Sequence, residues 1–152
     1  MEIILKPYRA EDFAAVAALF CQTISSVNAR DYTPFQCDAW VRRSQGLLTR
    51  KDALMTQRTF LAEQRNLLVG FGSIDATGYL DLLYVHKDFL RRGIATALCD
   101  ELEKNFAVVT THASITAKPF FERRGYLTEH KQEVDCGGVR LCNFVMKKEF
   151  TK

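Results

Sequence analysis

The stretch that most constrains this chain runs from Tyr79 to Thr111. It opens with Tyr79-Leu80-Asp81-Leu82-Leu83-Tyr84-Val85, apolar at nearly every position and preceded by Gly78. A strand covered on one face alternates in polarity, whereas one covered on both faces does not, so this run predicts a central strand. A basic turn follows. From about Arg92 to Lys104 the residues Ile94, Leu98 and Leu102 recur on one helical face, with Ala95 and Ala97 beside it. A short strand is expected over Ala107 to Thr111. Strand, helix and strand in this order predict a parallel, right-handed crossover.

The remaining elements are expected around that unit. Glu2 to Arg9 reads as a first strand. Ala10 to Val27 reads as a helix whose stripe is Phe13, Val16, Ala17, Phe20 and Ile24. Pro34 is suited to open a second helix, running through Trp40 to Arg43. Thr59 to Gln64 and Leu67 to Ile74 predict a hairpin closed at Arg65-Asn66. A helix from Ser114 to Arg124 is expected to be disturbed by Pro119 and ended by Gly125. Tyr126 to Val134 and Val139 to Lys148 predict a last hairpin turning at Gly137-Gly138. The order makes a mixed α/β fold, with 152 residues fitting a single domain over 1–152.

Composition narrows the function. A net charge of +3 is too mild to argue for nucleic acid, yet it suffices for a local anion site. No apolar run approaches the ~18 residues of a membrane span, and the N-terminus lacks a signal-peptide layout. The five cysteines include no Cys-x-x-Cys pair, which argues for free thiols in a reducing cytoplasm and against a metal site.

The chemistry concentrates where the central strand gives way to its helix: His86-Lys87-Asp88-Phe89-Leu90-Arg91-Arg92-Gly93-Ile94-Ala95-Thr96. A helix start leaves N–H groups unpaired and carries partial positive charge. Gly93 removes a side chain where a ligand comes close, Ala95 and Thr96 stay small, and Arg91 and Arg92 add fixed charge. Such a turn suits a pyrophosphate; an ordinary turn with exposed arginines is the competing reading.

Leu90-Arg91-Arg92-Gly93-Ile94-Ala95 resembles the coenzyme A motif of the GNAT superfamily, which usually reads Gln/Arg-x-x-Gly-x-Gly/Ala. Ser114-Ile115-Thr116-Ala117-Lys118-Pro119-Phe120-Phe121-Glu122-Arg123-Arg124-Gly125-Tyr126 is similar to that family's Ser-x-x-Ala-x-x-Phe-Tyr-Glu-x-x-Gly-Phe segment. The strand before the turn also matches, and the first third resembles an uncharacterised bacterial acetyltransferase subgroup. The resemblance implies a mostly antiparallel sheet with a central parallel splayed strand pair, flanking helices and acetyl-CoA in the wedge. It implies that Leu83 and Val85 pair with pantetheine, and that N–H groups from Arg91 to Thr96 hold the pyrophosphate. Ser114, Ala117, Phe120 and Phe121 would line the far side. It further implies direct attack by an amine of a small molecule or peptide; a homodimer stays open. Two positions depart from the pattern. Leu90 replaces Gln or Arg, and Phe121 replaces the tyrosine that in many members protonates the leaving thiolate. A non-catalytic coenzyme A sensor or interaction module on this scaffold is therefore the alternative.

Asp81, the only charge in the central strand, is the candidate general base, against a structural carboxylate. Tyr84, Tyr126 and Cys142 are the alternative proton donors, with a buried inert thiol the default for Cys142. Asp31, Tyr32 and Trp40 are candidates for the acceptor wall, although Trp40 also suits plain core. Asn143 can bond substrate or its neighbours, and His86 reads as an exposed loop histidine.

Overall fold

The structure is a computed structural model and describes residues 2–42 and 51–150. The strands are β1 (Ile4–Pro7), β2 (Arg58–Gln64), β3 (Leu67–Ile74), β4 (Tyr79–Val85), β5 (Val108–Ser114), β6 (Leu127–Cys136) and β7 (Val139–Glu149). The helices are α1 (Phe13–Ser26), α2 (Pro34–Arg42), α3 (Lys51–Thr56), α4 (Ile94–Leu102) and α5 (Lys118–Arg123). The strands form one mixed sheet in the order β1-β2-β3-β4-β5-β7-β6, antiparallel except at β4–β5.

The expected elements are present, with differences that have physical causes. The Arg65-Asn66 turn closes the β2–β3 hairpin with both residues at positive φ, 51° and 65°, as a two-residue hairpin turn requires. β5 runs on to Ser114 because Ser114 still pairs with Asn143 of β7, which shortens the following helix. The Ser114 hydroxyl then accepts from the Ala117 N–H at 3.0 Å, and Pro119 sits in the first turn of α5. The α3 helix was not expected, since its sequence carries no apolar period. The expected end of the second helix, Arg43, lies outside the described residues.

β4 is covered on both faces, as its composition predicts. Leu82 and Tyr84 pack with Val16, Phe20 and Ile24 of α1. Leu83 and Val85 turn to the other side, toward Ile94 and Leu98 of α4. That second contact is close because β3 carries glycines. A Cβ built on Gly70 would lie 2.8 Å from Ile94 Cγ2 and 3.2 Å from the Tyr84 carbonyl oxygen. The oxygen belongs to the sheet and cannot swing away. Gly70→Ala is expected to lower stability by about 1–3 kcal/mol, read as a fall in the unfolding midpoint. An unchanged midpoint would mean that α4 rides more loosely on β3 than this packing implies.

Candidate active site

The parallel pair holds for only two registered positions, Tyr79 with Thr110 and Leu80 with Thr111. The Thr111 hydroxyl adds a bond to the Leu80 carbonyl at 2.9 Å. At the next residue β4 bulges. Leu80 is registered with Ile74 and Leu82 with Ser73, which leaves Asp81 as the extra residue. A bulge bends its strand and re-aims a side chain. β4 turns away here while β5 stays paired to β7 as far as Ser114. The two strands part, and a cleft of about 750 Å³ opens between them.

The basic end of the cleft is the turn before α4. Arg91 and Gly93 both take left-handed conformations, φ 62° and 80°. Alternation of this kind curves backbone N–H groups toward a common centre. The first hydrogen bond of α4 runs from the Ala97 N–H to the Gly93 carbonyl, and no side chain caps the helix. The N–H groups of Ile94, Ala95 and Thr96 are the donors a helix start leaves over. A Cβ on Gly93 would meet nothing within 4 Å, so the cradle opens onto unfilled space. Leu90, Arg91, Gly93, Ile94, Ala95 and Thr96 line the cleft. Arg92 does not; its guanidinium sits over the Phe89 ring at 5.2 Å. These residues fit an anionic, phosphate-bearing ligand.

Leu83, Tyr84 and Val85 form one wall, and the Val85 carbonyl accepts from the Thr23 hydroxyl at 3.1 Å. Ser114, Ala117, Phe120 and Phe121 form the other. Phe121 is almost wholly buried, edge-on to Phe120 and Tyr126. Behind it Tyr126 donates to Glu103, which also receives a two-pronged contact from Arg124 at 3.0 and 2.6 Å. Burial, then the Glu103 carboxylate, push the Tyr126 phenol far above its ordinary range. Tyr126 is thus a core group that does not line the cleft. Cys99 lies by the same network, its thiol pushed up to about 12 by burial.

The face of the sheet toward α1 carries the polar residues. Val109 and Ala113 point into the core beneath α4, so His112 and Ser114 of β5 point the other way. The Tyr79 ring meets His112 edge-on at 5.1 Å. Asp81, two residues after Tyr79, shares that face, and the bulge then returns Leu82 to it as well. Asp81, Tyr84, Asp31 and Trp40 all line the cleft, joined by Asn28, Arg30 and His112.

Four further sequence candidates lie elsewhere or play another part. Tyr32 is buried behind Trp40, ring to ring at 5.3 Å. Its hydroxyl donates to the Cys142 carbonyl at 2.6 Å and accepts from the Ile115 N–H at 2.9 Å, with burial raising its pKa to about 12. It braces the wall from behind. Cys142 alternates with Phe144 and Met146, which face the α4 side, and its side chain is not among those lining the cleft. Asn143 faces the α1 side beside Ser114 but stands off the cleft, its Oδ1 buried. His86 is not an exposed loop residue. It is half-buried, Nδ1 accepts from the Asp88 N–H at 3.1 Å, and Nε2 meets the Gln22 amide at 3.2 Å. His112 and Gln57 are additions from the structure: His112 lines the cleft that Asp81 also lines, and Gln57 donates to Asp81 across a contact distant in sequence.

Among the described residues no cluster of His, Cys, Asp and Glu could hold a metal, and no helix is long and apolar enough to cross a membrane.

Comparison with known proteins agrees with this architecture. Residues 28–149 match the acetyltransferase (GNAT) domain family. The chain is 35% identical over 145 residues to the uncharacterised N-acetyltransferase YafP of Escherichia coli K12, covering 95% of each protein. A GCN5-related N-acetyltransferase structure from Rhodopseudomonas palustris, also described as a class-II aminotransferase, is 34% identical. It superposes with a TM-score of 0.93 over 99% of this chain and 97% of the other. PaiA N-acetyltransferase of Thermoplasma acidophilum, solved with coenzyme A, is 18% identical with a TM-score of 0.76, over 99% and 100% of the two chains. With a family match across most of its length and a curated relative at this identity, the chain belongs to the GNAT family and is an acetyltransferase.

Proposed function

We propose that the protein, as one catalytic domain spanning residues 1–152, moves an acetyl group from acetyl-CoA to an amine of a small molecule or peptide. Transfer is by direct attack within a ternary complex. The observation that carries this reading is the parting of β4 from β5 beside the bulge. It opens one cleft whose basic end is a helix start and whose middle borders the face bearing Asp81. A phosphorylated donor and an amine acceptor entering from opposite sides would meet there. The coenzyme A bound by the distant PaiA structure supports the choice of donor.

Acetyl-CoA would supply the activated acyl carbon as a thioester. The N–H groups of Ile94, Ala95 and Thr96, with Arg91, would hold its pyrophosphate. Leu83 and Val85 would hold the pantetheine arm against Ala117 and Phe120. Backbone N–H groups near Leu83 to Val85 would polarise the thioester carbonyl. Asp81 would take the proton from the attacking amine as the new C–N bond forms and the C–S bond breaks. Of the proton donors offered for the leaving thiolate, Tyr84 lines the cleft, while Tyr126 and the Cys142 side chain do not. Tyr84 is therefore the candidate acid in place of a residue-121 tyrosine.

The experiment is calorimetric titration with acetyl-CoA alongside a thiol-release assay on a panel of primary amines and matched alcohols. One-to-one binding with amine-dependent thiol release is expected. Release driven by alcohols alone would overturn the amine assignment, and absent binding would overturn the donor.

A further inference from the structure

Asp81 is held by a residue from a distant part of the chain. Gln57 forms the bend between α3 and β2, and its Nε2 donates to Asp81 Oδ2 at 3.3 Å, within a partly buried contact. The Oε1 of the same amide is buried and has no hydrogen-bond partner among the described residues. An amide that leaves its acceptor unsatisfied pays a desolvation cost, so something must fix its orientation. Turning it over would set Oε1 against a carboxylate oxygen. The observed orientation, with Nε2 toward Oδ2, suits an ionised Asp81, the form a proton acceptor must have before reaction.

We propose that Gln57 is a positioning residue for acyl transfer. Its amide holds the Asp81 carboxylate in the rotamer that faces the mouth between β4 and β5, and sets the pH at which Asp81 accepts the amine proton. This rests on Asp81 being the proton acceptor. Donation of an N–H to the ionised form favours that form, so removing Gln57 raises the pH needed to keep Asp81 ready. Among the described residues, other charged or titratable groups stand on the elements near Asp81. Tyr79 stands on the same strand and His112 on β5; Arg30 and Asp31 lie beyond the end of α1. Arg58, next to Gln57, is drawn to Glu101 at 2.6 Å.

The test is the pH profile of kcat/KM for Gln57→Leu, measured with one amine throughout so that the amine's own ionisation is common to every variant. The acidic limb is expected to move up by about one pH unit, a roughly ten-fold loss below the limb. Acetyl-CoA affinity should stay unchanged. Gln57→Asn, which keeps the amide but shortens its reach, is expected to move the limb the same way and guards against a folding defect in the leucine variant. The shift should persist in a His112→Gln background, separating it from that imidazole, and vanish in an Asp81→Asn background. An inactive Asp81→Asn together with an unmoved limb in both Gln57 variants would overturn the positioning role alone. Wild-type turnover in Asp81→Asn would overturn both this role and the base assignment beneath it.

Discussion

Asp81→Asn is expected to lower kcat by about 10²–10⁴-fold, the usual loss when a positioned proton acceptor is removed, with acetyl-CoA affinity nearly intact. The substitution keeps the shape of the side chain, and an asparagine oxygen can still accept from the Gln57 amide. Packing at the bulge should survive, because Asp81 is the extra residue of β4 while its neighbours Leu80 and Leu82 are buried on opposite faces. Affinity should survive because the basic cradle lies beyond Val85, at the far end of the strand. Steady-state kinetics with a binding titration checks both. A variant that binds and turns over like wild type would return Asp81 to a structural role.

Gly93→Glu is expected to abolish acetyl-CoA binding. Its φ of 80° is one that residues with a Cβ adopt at a cost of about 1–2 kcal/mol, which alone would lower stability modestly. The larger effect is electrostatic. A carboxylate placed where N–H groups converge would face the pyrophosphate, and like-charge juxtaposition costs several kcal/mol, or more than about 10²-fold in affinity. Gly93→Ala separates the two effects. Its Cβ meets no protein atom within 4 Å, so it bears the backbone strain without the charge. Calorimetry should therefore give a ranking of wild type, then alanine, then glutamate. Equal affinity across the three would place the phosphates elsewhere.

The sequence was informative where interactions are local. The unbroken apolar run from Leu82 to Val85 announces a strand covered on both faces, and the spacing of Ile94, Leu98 and Leu102 announces the helix that covers one of them. Gly93 after two arginines marks a helix start that favours anions. What the sequence hides depends on pairing between distant segments. Nothing in Tyr79-Leu80-Asp81-Leu82 encodes a bulge, which exists only as a mismatch in register against Ser73 and Ile74. His112 looks like any histidine until β5 sets its parity against Val109 and Ala113. Gln57 reaches Asp81 across an interval no periodicity spans. Tyr32 illustrates the reverse error: an aromatic near the acceptor side in sequence proves to be a buried brace between Cys142 and Ile115.

The two-position contact between β4 and β5 has a mechanical consequence. Every other neighbouring pair in the sheet shares at least four registered positions, so the ladder is thinnest across its middle. The molecule is in effect two leaves, β1–β4 and β5–β7, bound along a short spine at Tyr79, Leu80, Thr110 and Thr111. A linear ligand whose amides take up the vacant edges of both leaves would supply the missing rungs. Occupancy and rigidity of the sheet are then one property, and loading the donor would stiffen the floor on which the acceptor must be aligned.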